Sequence, residues 1–272
     1  GHYSHREGVP MEDTHGTVEV GGTSLAYREE GTGPAVVLVH GKGNSKELMA
    51  GLQDHLAARG HRAVAYDVRG HGASDKPAAF SMADHVADLV GLCRALGLGR
   101  PAVVGFSMGS YIALRAAELH PCAFGRIVLI GSRGRVGVSA TQRIRDDALA
   151  RGLSPKEAGR EVLRRIYSPA TDASRREELN RRARGPVRLT AGQRRAIDAS
   201  LRGIDLLSDA GRVRQPVLVL TGADDGINPP DEGRHLAEAL PHGTFEEVPD
   251  AGHNALLENP GAVFRAVDAF LG

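Results

Sequence analysis

Short β-branched runs alternate with longer stretches of helical spacing along most of this chain, and that alternation restricts the fold more than any other feature. Ala35–Val39 is five consecutive apolar residues closed by His40. A strand with one wet face alternates apolar and polar positions, so an unbroken run needs cover on both faces. Further strands are expected at Arg62–Tyr66, Ala102–Val104, Ile127–Ile130, Val217–Leu220 and Phe245–Val248. Ser81-x-x-Asp84 forms a capping-box pattern, after which Val86, Leu89, Val90, Cys93 and Leu96 fall on one helical face. Helices are also predicted over 45–59, 108–119, 231–240 and 260–271. This alternation builds a mostly parallel central sheet flanked by helices, an α/β fold. Only the start differs: Thr17–Val20 and Ser24–Arg28, parted by Gly21-Gly22, read as an antiparallel hairpin.

The 272 residues suit one large α/β domain, and 41% hydrophobic with 25% charged residues excludes wholesale disorder. No apolar run approaches the roughly 20 residues that span a bilayer, so no membrane partner is expected. The first ten residues lack a signal-peptide core, and two cysteines, Cys93 and Cys122, cannot staple a secreted scaffold. Both features predict a cytoplasmic protein. The net charge of +1 averages two unlike parts. Residues 133–202 hold 18 Lys+Arg, 17 of them Arg, against 8 Asp+Glu, a balance of +10 that leaves −9 on the rest. Within that segment Ala158, Val162, Leu163 and Ile166 share one helical face. Ile197, Leu201 and Ile204 share another behind a second capping box, Thr190-x-x-Gln193. Asp172–Arg184 has almost no apolar face and reads as a solvated helix or loop. A basic helical insert between two sheet strands is expected to be a lid. The chain then divides into a core, 1–132 and 203–272, and a lid, 133–202. With Tyr167 nearly its only aromatic, the insert offers no stacking platform, so nucleic acid is not an expected partner.

Gly105-Phe106-Ser107-Met108-Gly109 lies directly between an expected strand and an expected helix. A serine on so sharp a turn needs a strained backbone, and glycines two residues to either side remove the Cβ atoms that would clash. The turn sets Ser107 at the positive end of a helix, where a developing oxyanion is stabilised. Ser107 is therefore the candidate nucleophile. Its hydroxyl needs an adjacent base with a pKa near 7. Among twelve histidines His253 stands out, in the loop Asp250-Ala251-Gly252-His253 before the last helix. His2, His5, His15, His55, His61, His85, His120, His235 and His242 are expected on the surface. An imidazole base needs a carboxylate to hold its tautomer, and either Asp224 or Asp225, after Val217–Leu220, can serve. All these positions fall beyond the C-terminal ends of strands, where open α/β sheets build their sites. The segment His40-Gly41-Lys42-Gly43-Asn44 can add the Lys42 amide to that of Met108 as an oxyanion donor. His40 is then a structural histidine of that loop.

Five segments resemble the α/β-hydrolase fold superfamily, and within it the lidded esterase, lactonase and carbon–carbon hydrolase branch. They are VLVHGKGNS at 37–45, YDVRGHGASDKP at 66–77, VVGFSMGSYIALRAAELHP at 103–121, LVLTGADDGINPP at 218–230 and DAGHNALLENP at 250–260. The likeness runs from Ala35 to the C-terminus apart from the lid. It implies Ser107 as nucleophile, His253 as general base and Asp225, rather than Asp224, as the acid, in the chain order of that fold. It makes His71 and Ser74 architectural. A serine at 107 sets the chain apart from epoxide hydrolases and haloalkane dehalogenases, which use aspartate, and the absence of tryptophan argues further against the latter. No Walker A loop, G-x-G-x-x-G, H-E-x-x-H or C-x-x-C occurs, so neither cofactor nor metal is expected. Lys42 departs from the apolar residue or glycine common at its position. Its side chain either turns to solvent or pairs with a carboxylate or enolate oxygen of an anionic small-molecule substrate. The expected activity is hydrolysis of a carboxylic ester or lactone through an acyl-enzyme. Its rivals are C–C bond hydrolysis of a β-diketone-like substrate by the same residues, and ligand sensing or binding on the same fold.

Overall fold

The computed structural model describes residues 14–272, so the reading of the first ten residues lies outside it. The chain begins β1 (Thr14–Val20), β2 (Thr23–Glu30), β3 (Ala35–Val39), α1 (Ala50–Ala58), β4 (Arg62–Tyr66), α2 (Met82–Ala95), β5 (Ala102–Phe106), α3 (Met108–Leu119) and β6 (Ile127–Ile130). An inserted segment follows: β7 (Arg135–Val136), α4 (Ala140–Ala150), α5 (Pro155–Ile166), α6 (Ala173–Arg184), α7 (Ala191–Leu201) and β8 (Ile204–Asp205). The chain ends with β9 (Val217–Gly222), α8 (Pro230–Ala239), β10 (Gly243–Val248), α9 (Ala255–Glu258) and α10 (Pro260–Leu271).

Eight strands form one sheet in the order β1-β2-β4-β3-β5-β6-β9-β10. The hairpin β1–β2 joins β4 antiparallel, and every other neighbouring pair is parallel. The unbroken apolar run in β3 has the expected cause. Val37 and Val39 pack with Leu89 and Leu92 of α2 and Ile112 of α3 on one face. Val36 and Leu38 pack with Leu52 and Leu56 of α1 and Val263 of α10 on the other. Each such leucine contributes about 1.5–3 kcal/mol relative to leaving it in water. Because β3, β5, β6, β9 and β10 are parallel, the segments leaving their C-terminal ends gather along one edge of the sheet. That edge carries the loops of residues 40–44, 107, 131, 225 and 253.

The insert is hydrogen-bonded to loops at this edge, as Lys42 Nζ is to Asp198 and the Gly226 amide to Arg165 O, and its β7 pairs antiparallel with β8. Its helix α7 forms behind the capping box expected from the sequence, and α5 has a further, unexpected one. Ser154 and Glu157 make a capping box at α5, and Thr190 and Gln193 make another at α7. The stretch of arginines after Asp172 is helical, capped by the Asp172 side chain, with Leu179 and Ala183 buried. Two apolar residues one turn apart are enough to dock it. Among the described residues no helix is long and apolar enough to cross a membrane.

Candidate active site

Ser107 is the N-cap of α3, directly after β5, with φ 49° and ψ −114°. A serine in the left-handed half of the map is strained, and its neighbours force it there. A Cβ at Gly105 would stand 2.4 Å from the Gly109 carbonyl oxygen, and one at Gly109 would stand 2.1 Å from that of Val39. The backbone is pinned by the Ser107 N–H donating to Ile130 O at 2.9 Å.

His253 follows β10 and brings its ring between two partners. Its Nε2 lies 2.9 Å from Ser107 Oγ, and its Nδ1 lies 2.8 Å from Asp225 Oδ2. The other oxygen of Asp225, Oδ1, accepts the Ile227 and Asn228 amides, each at 2.8 Å. Both His253 and Asp225 are buried. Asp224 is directed elsewhere: its Oδ2 accepts from Ser168 Oγ of the insert at 2.7 Å.

The histidine loop is itself tied to the insert. The His253 amide donates to Ile166 O, Gly226 N donates to Arg165 O at 3.0 Å, and Asn254 Nδ2 donates to Tyr167 Oη at 2.8 Å. Glu258 joins both sides, taking the Gly252 amide on Oε1 at 2.8 Å and the Ser168 amide on Oε2 at 2.9 Å. Asn228 steadies the acid loop by donating to Tyr111 Oη at 2.6 Å and Gly131 O at 2.7 Å. Neither Asn228 nor Glu258 stands out in the sequence. Both lie inside the matched segments, but their partners are remote in the chain.

The loop after β3 lies against the turn that holds Ser107: a Cβ at Gly109 would stand 2.6 Å from His40 O, and one at Gly41 2.9 Å from the Phe106 ring. Among the described residues neither the Lys42 nor the Met108 amide meets a protein acceptor. His40 is buried and structural: Nδ1 bonds Gly41 O at 2.8 Å, and Nε2 accepts the Val68 amide at 3.0 Å. His71 accepts the Gly43 amide on Nε2 at 3.0 Å, and Ser74 Oγ accepts the Ala26 amide at 2.9 Å. Burial holds the His40 and His71 pKa values below the ordinary imidazole range, which keeps Nε2 of each free to accept. The Lys42 side chain takes neither expected course. Its ammonium donates to Asp198 Oδ1 at 2.9 Å, Ser139 Oγ at 2.6 Å and Thr141 Oγ1 at 3.2 Å, all in the insert. His85 is a second correction. Expected on the surface, it is buried between α2 and α7, with Nε2 donating to Ser200 Oγ at 3.0 Å.

A model of the alpha/beta hydrolase fold matches residues 34–260, and the chain belongs to that family. It is 32% identical over 257 residues to the Mycobacterium tuberculosis H37Rv protein named non-heme bromoperoxidase BpoC, covering 91% of this chain and 97% of the other. The crystal structure of BpoC matches this one with a TM-score of 0.79 and 30% identity, across 99% of this chain and 98% of that one. Identity to the pimeloyl-acyl-carrier-protein methyl ester esterase of Chromobacterium violaceum is 32% over 248 residues, 87% of this chain and 94% of the esterase. The enol-lactonase of Burkholderia xenovorans LB400 matches with a TM-score of 0.82 and 25% identity, over 94% of this chain and 99% of that one.

Proposed function

We propose that this protein is a serine hydrolase of small carboxylic esters or lactones. The observation that carries the reading is the relay Ser107–His253–Asp225, at 2.9 and 2.8 Å, with the Lys42 and Met108 amides meeting no protein acceptor among the described residues. His253 Nε2 takes the Ser107 proton as Oγ attacks the carbonyl carbon. The Lys42 and Met108 amides donate to the oxygen as it gains negative charge. Asp225, holding the proton on Nδ1, stabilises the imidazolium. The tetrahedral adduct collapses, the leaving oxygen takes the proton from His253, and the acyl-enzyme remains. Water then gives a proton to His253 and attacks the acyl carbon; as this second adduct collapses, Ser107 Oγ takes that proton back and the acid is released. The insert acts as a lid over this edge of the sheet. Relatives named as an esterase and an enol-lactonase support the ester or lactone reading.

An anionic substrate finds its counter-charge in the arginines of the insert rather than in Lys42, whose ammonium is already paired. Arg133, Arg143 and Arg165 outnumber Asp147 and Glu232 in the wall of a groove of about 440 Å³ beside Gly226 and Ile227 of the acid loop. Among the described residues neither Arg143 nor Arg165 is paired with a carboxylate; Arg165 donates to Gly226 O at 3.2 Å.

The test is a panel of p-nitrophenyl esters and lactones, neutral and acidic in the acyl part, given to the wild type and to Ser107→Ala. The wild type is expected to turn over esters and to be labelled at Ser107 by a fluorophosphonate, and the variant to do neither. A wild type that shows neither turnover nor labelling overturns the reading. Equal KM for neutral and acidic esters, in the wild type and in Arg143→Ala, overturns only the anionic preference.

A further inference from the structure

Most of the loop 40–44 is held by the core or by itself. His40 bonds Gly41 and Val68, Gly43 bonds His71, and Asn44 N donates to Gly41 O at 3.1 Å. Two side chains leave it for the insert: Asn44 Nδ2 donates to Ala183 O at 3.0 Å, and the larger set of contacts belongs to Lys42. Its side chain leaves the core and spends all three ammonium protons on the insert, joining Ser139 and Thr141 at the start of α4 to Asp198 in α7. Ser139 and Thr141 also bond one another at 2.9 Å, so the ammonium closes a four-member polar cluster. Asp198 has no other cation among the described residues. The polarity is unexpected, since the core sends a lysine into a segment that already carries +10 and finds one of its 8 acidic residues. Bulk attraction between an acidic core and a basic insert does not produce that contact. Three directed hydrogen bonds do.

We infer that Lys42 and Asp198 form a clasp that positions the oxyanion loop, so that the Lys42 amide is aimed only while the insert is seated. The inference rests on the reading of that amide as an oxyanion donor. The physical link is short, because the clasped side chain and the donating N–H belong to the same residue. Holding Nζ in place restricts the backbone rotations at position 42, which set the direction of its N–H. Asp198 is on this account a positioning residue, acting through Lys42 without touching the substrate. A preorganised donor contributes to the transition state and little to the bound ground state, so releasing it lowers kcat and leaves KM nearly unchanged.

A double-mutant cycle on ester hydrolysis tests this, with Lys42→Met, Asp198→Ala and the pair combined. Deleting one oxyanion donor costs about 10²–10³ in kcat, and a donor set loose costs less, so roughly a tenfold fall is expected in each single variant. The double variant is expected to fall no further than Lys42→Met, because that substitution already removes the contact that Asp198→Ala breaks. Amide hydrogen exchange across 40–44 is expected to quicken in Asp198→Ala, with the melting temperature close to that of the wild type. Losses that multiply in the double variant overturn the clasp, as does Asp198→Ala with unchanged kcat, or with a change in KM alone. If the wild type hydrolyses no ester, the oxyanion role falls with the hydrolase reading, and exchange across 40–44 decides the clasp by itself: unchanged rates overturn it.

Discussion

Asp225→Asn separates the two jobs of the acid, and the structure fixes which way the new amide must point. Asp225 Oδ1 accepts two backbone N–H groups, from Ile227 and Asn228, while Oδ2 faces only His253 Nδ1. Turning the asparagine NH₂ toward the backbone would leave two amides without an acceptor, at about 1–3 kcal/mol each. Turning it toward His253 leaves the backbone bonds intact and reverses one hydrogen bond. The amide oxygen therefore stays with the backbone, and NH₂ donates to Nδ1. That places the ring proton on Nε2, pointing at Ser107 Oγ, and the ring can no longer take the serine proton. In serine hydrolases of another fold the same tautomer reversal lowers kcat about 10⁴-fold, equivalent to roughly 5 kcal/mol of barrier. A comparable loss is expected here, with an unchanged circular-dichroism melt because no backbone bond is lost. The assay is kcat/KM on a p-nitrophenyl ester, with Asp224→Asn as the control, since Asp224 meets only Ser168 in this region. Asp225→Asn within tenfold of the wild type, or Asp224→Asn the more damaged of the two, refutes the assignment.

Two further predictions concern stability and pH. Burial pushes the Glu118 carboxyl up to about 7 despite its Arg115 partner, and its Oε2 meets no donor among the described residues. Between about pH 4.5 and 7 the unfolded chain loses this proton while the folded one keeps it, so stability falls across that window by up to about 3 kcal/mol. Glu118→Gln is expected to melt several degrees above the wild type at pH 8 and to converge on it at pH 5; parallel curves contradict this. His85 carries the opposite sign. Burial and the nearby Arg69 charge lower its pKa to about 4, so its stabilisation is complete above 6.5 and lost as pH falls toward 4. Thermal melts in that range should show a shallower acid slope for His85→Gln than for the wild type, and identical slopes would sink the assignment.

The core and the relay were legible because their signals are local. A strand end, a glycine pair around a serine and a histidine before the last helix are each written in a few consecutive residues. Parallel strand order then carries them to one edge of the sheet. What was not legible lies on the seam between core and insert. Periodicity in α2 marks the face toward the sheet but says nothing of Ser200 arriving from α7, so His85 reads as a surface residue. Asp224 and Asp225 are adjacent and chemically alike, so residue chemistry alone leaves both open and only the resemblance selects Asp225; in the structure Ser168 bonds Asp224. Lys42 meets a carboxylate 156 positions away.

Charge summed over segments does not recover the seam either. A +10 insert over a −9 remainder leads one to expect insert arginines on core acids. The ion pairs that cross run both ways: Arg133 reaches Glu232 at 3.2 Å, while Lys42 of the core reaches Asp198 at 2.9 Å. Several insert arginines stay within their own segment, as Arg151 does with Asp147 and Glu161. Exposed pairs of this kind contribute about 0–1 kcal/mol each and are screened by salt, so they cannot fix the seat of the insert. The bonds with defined direction can, and they concentrate where the insert touches the loops of His253, Asp225 and Lys42. Salt that screens the surface arginines should therefore leave the insert in place, while loss of Glu258, which bonds the Gly252 and Ser168 amides at once, should loosen it.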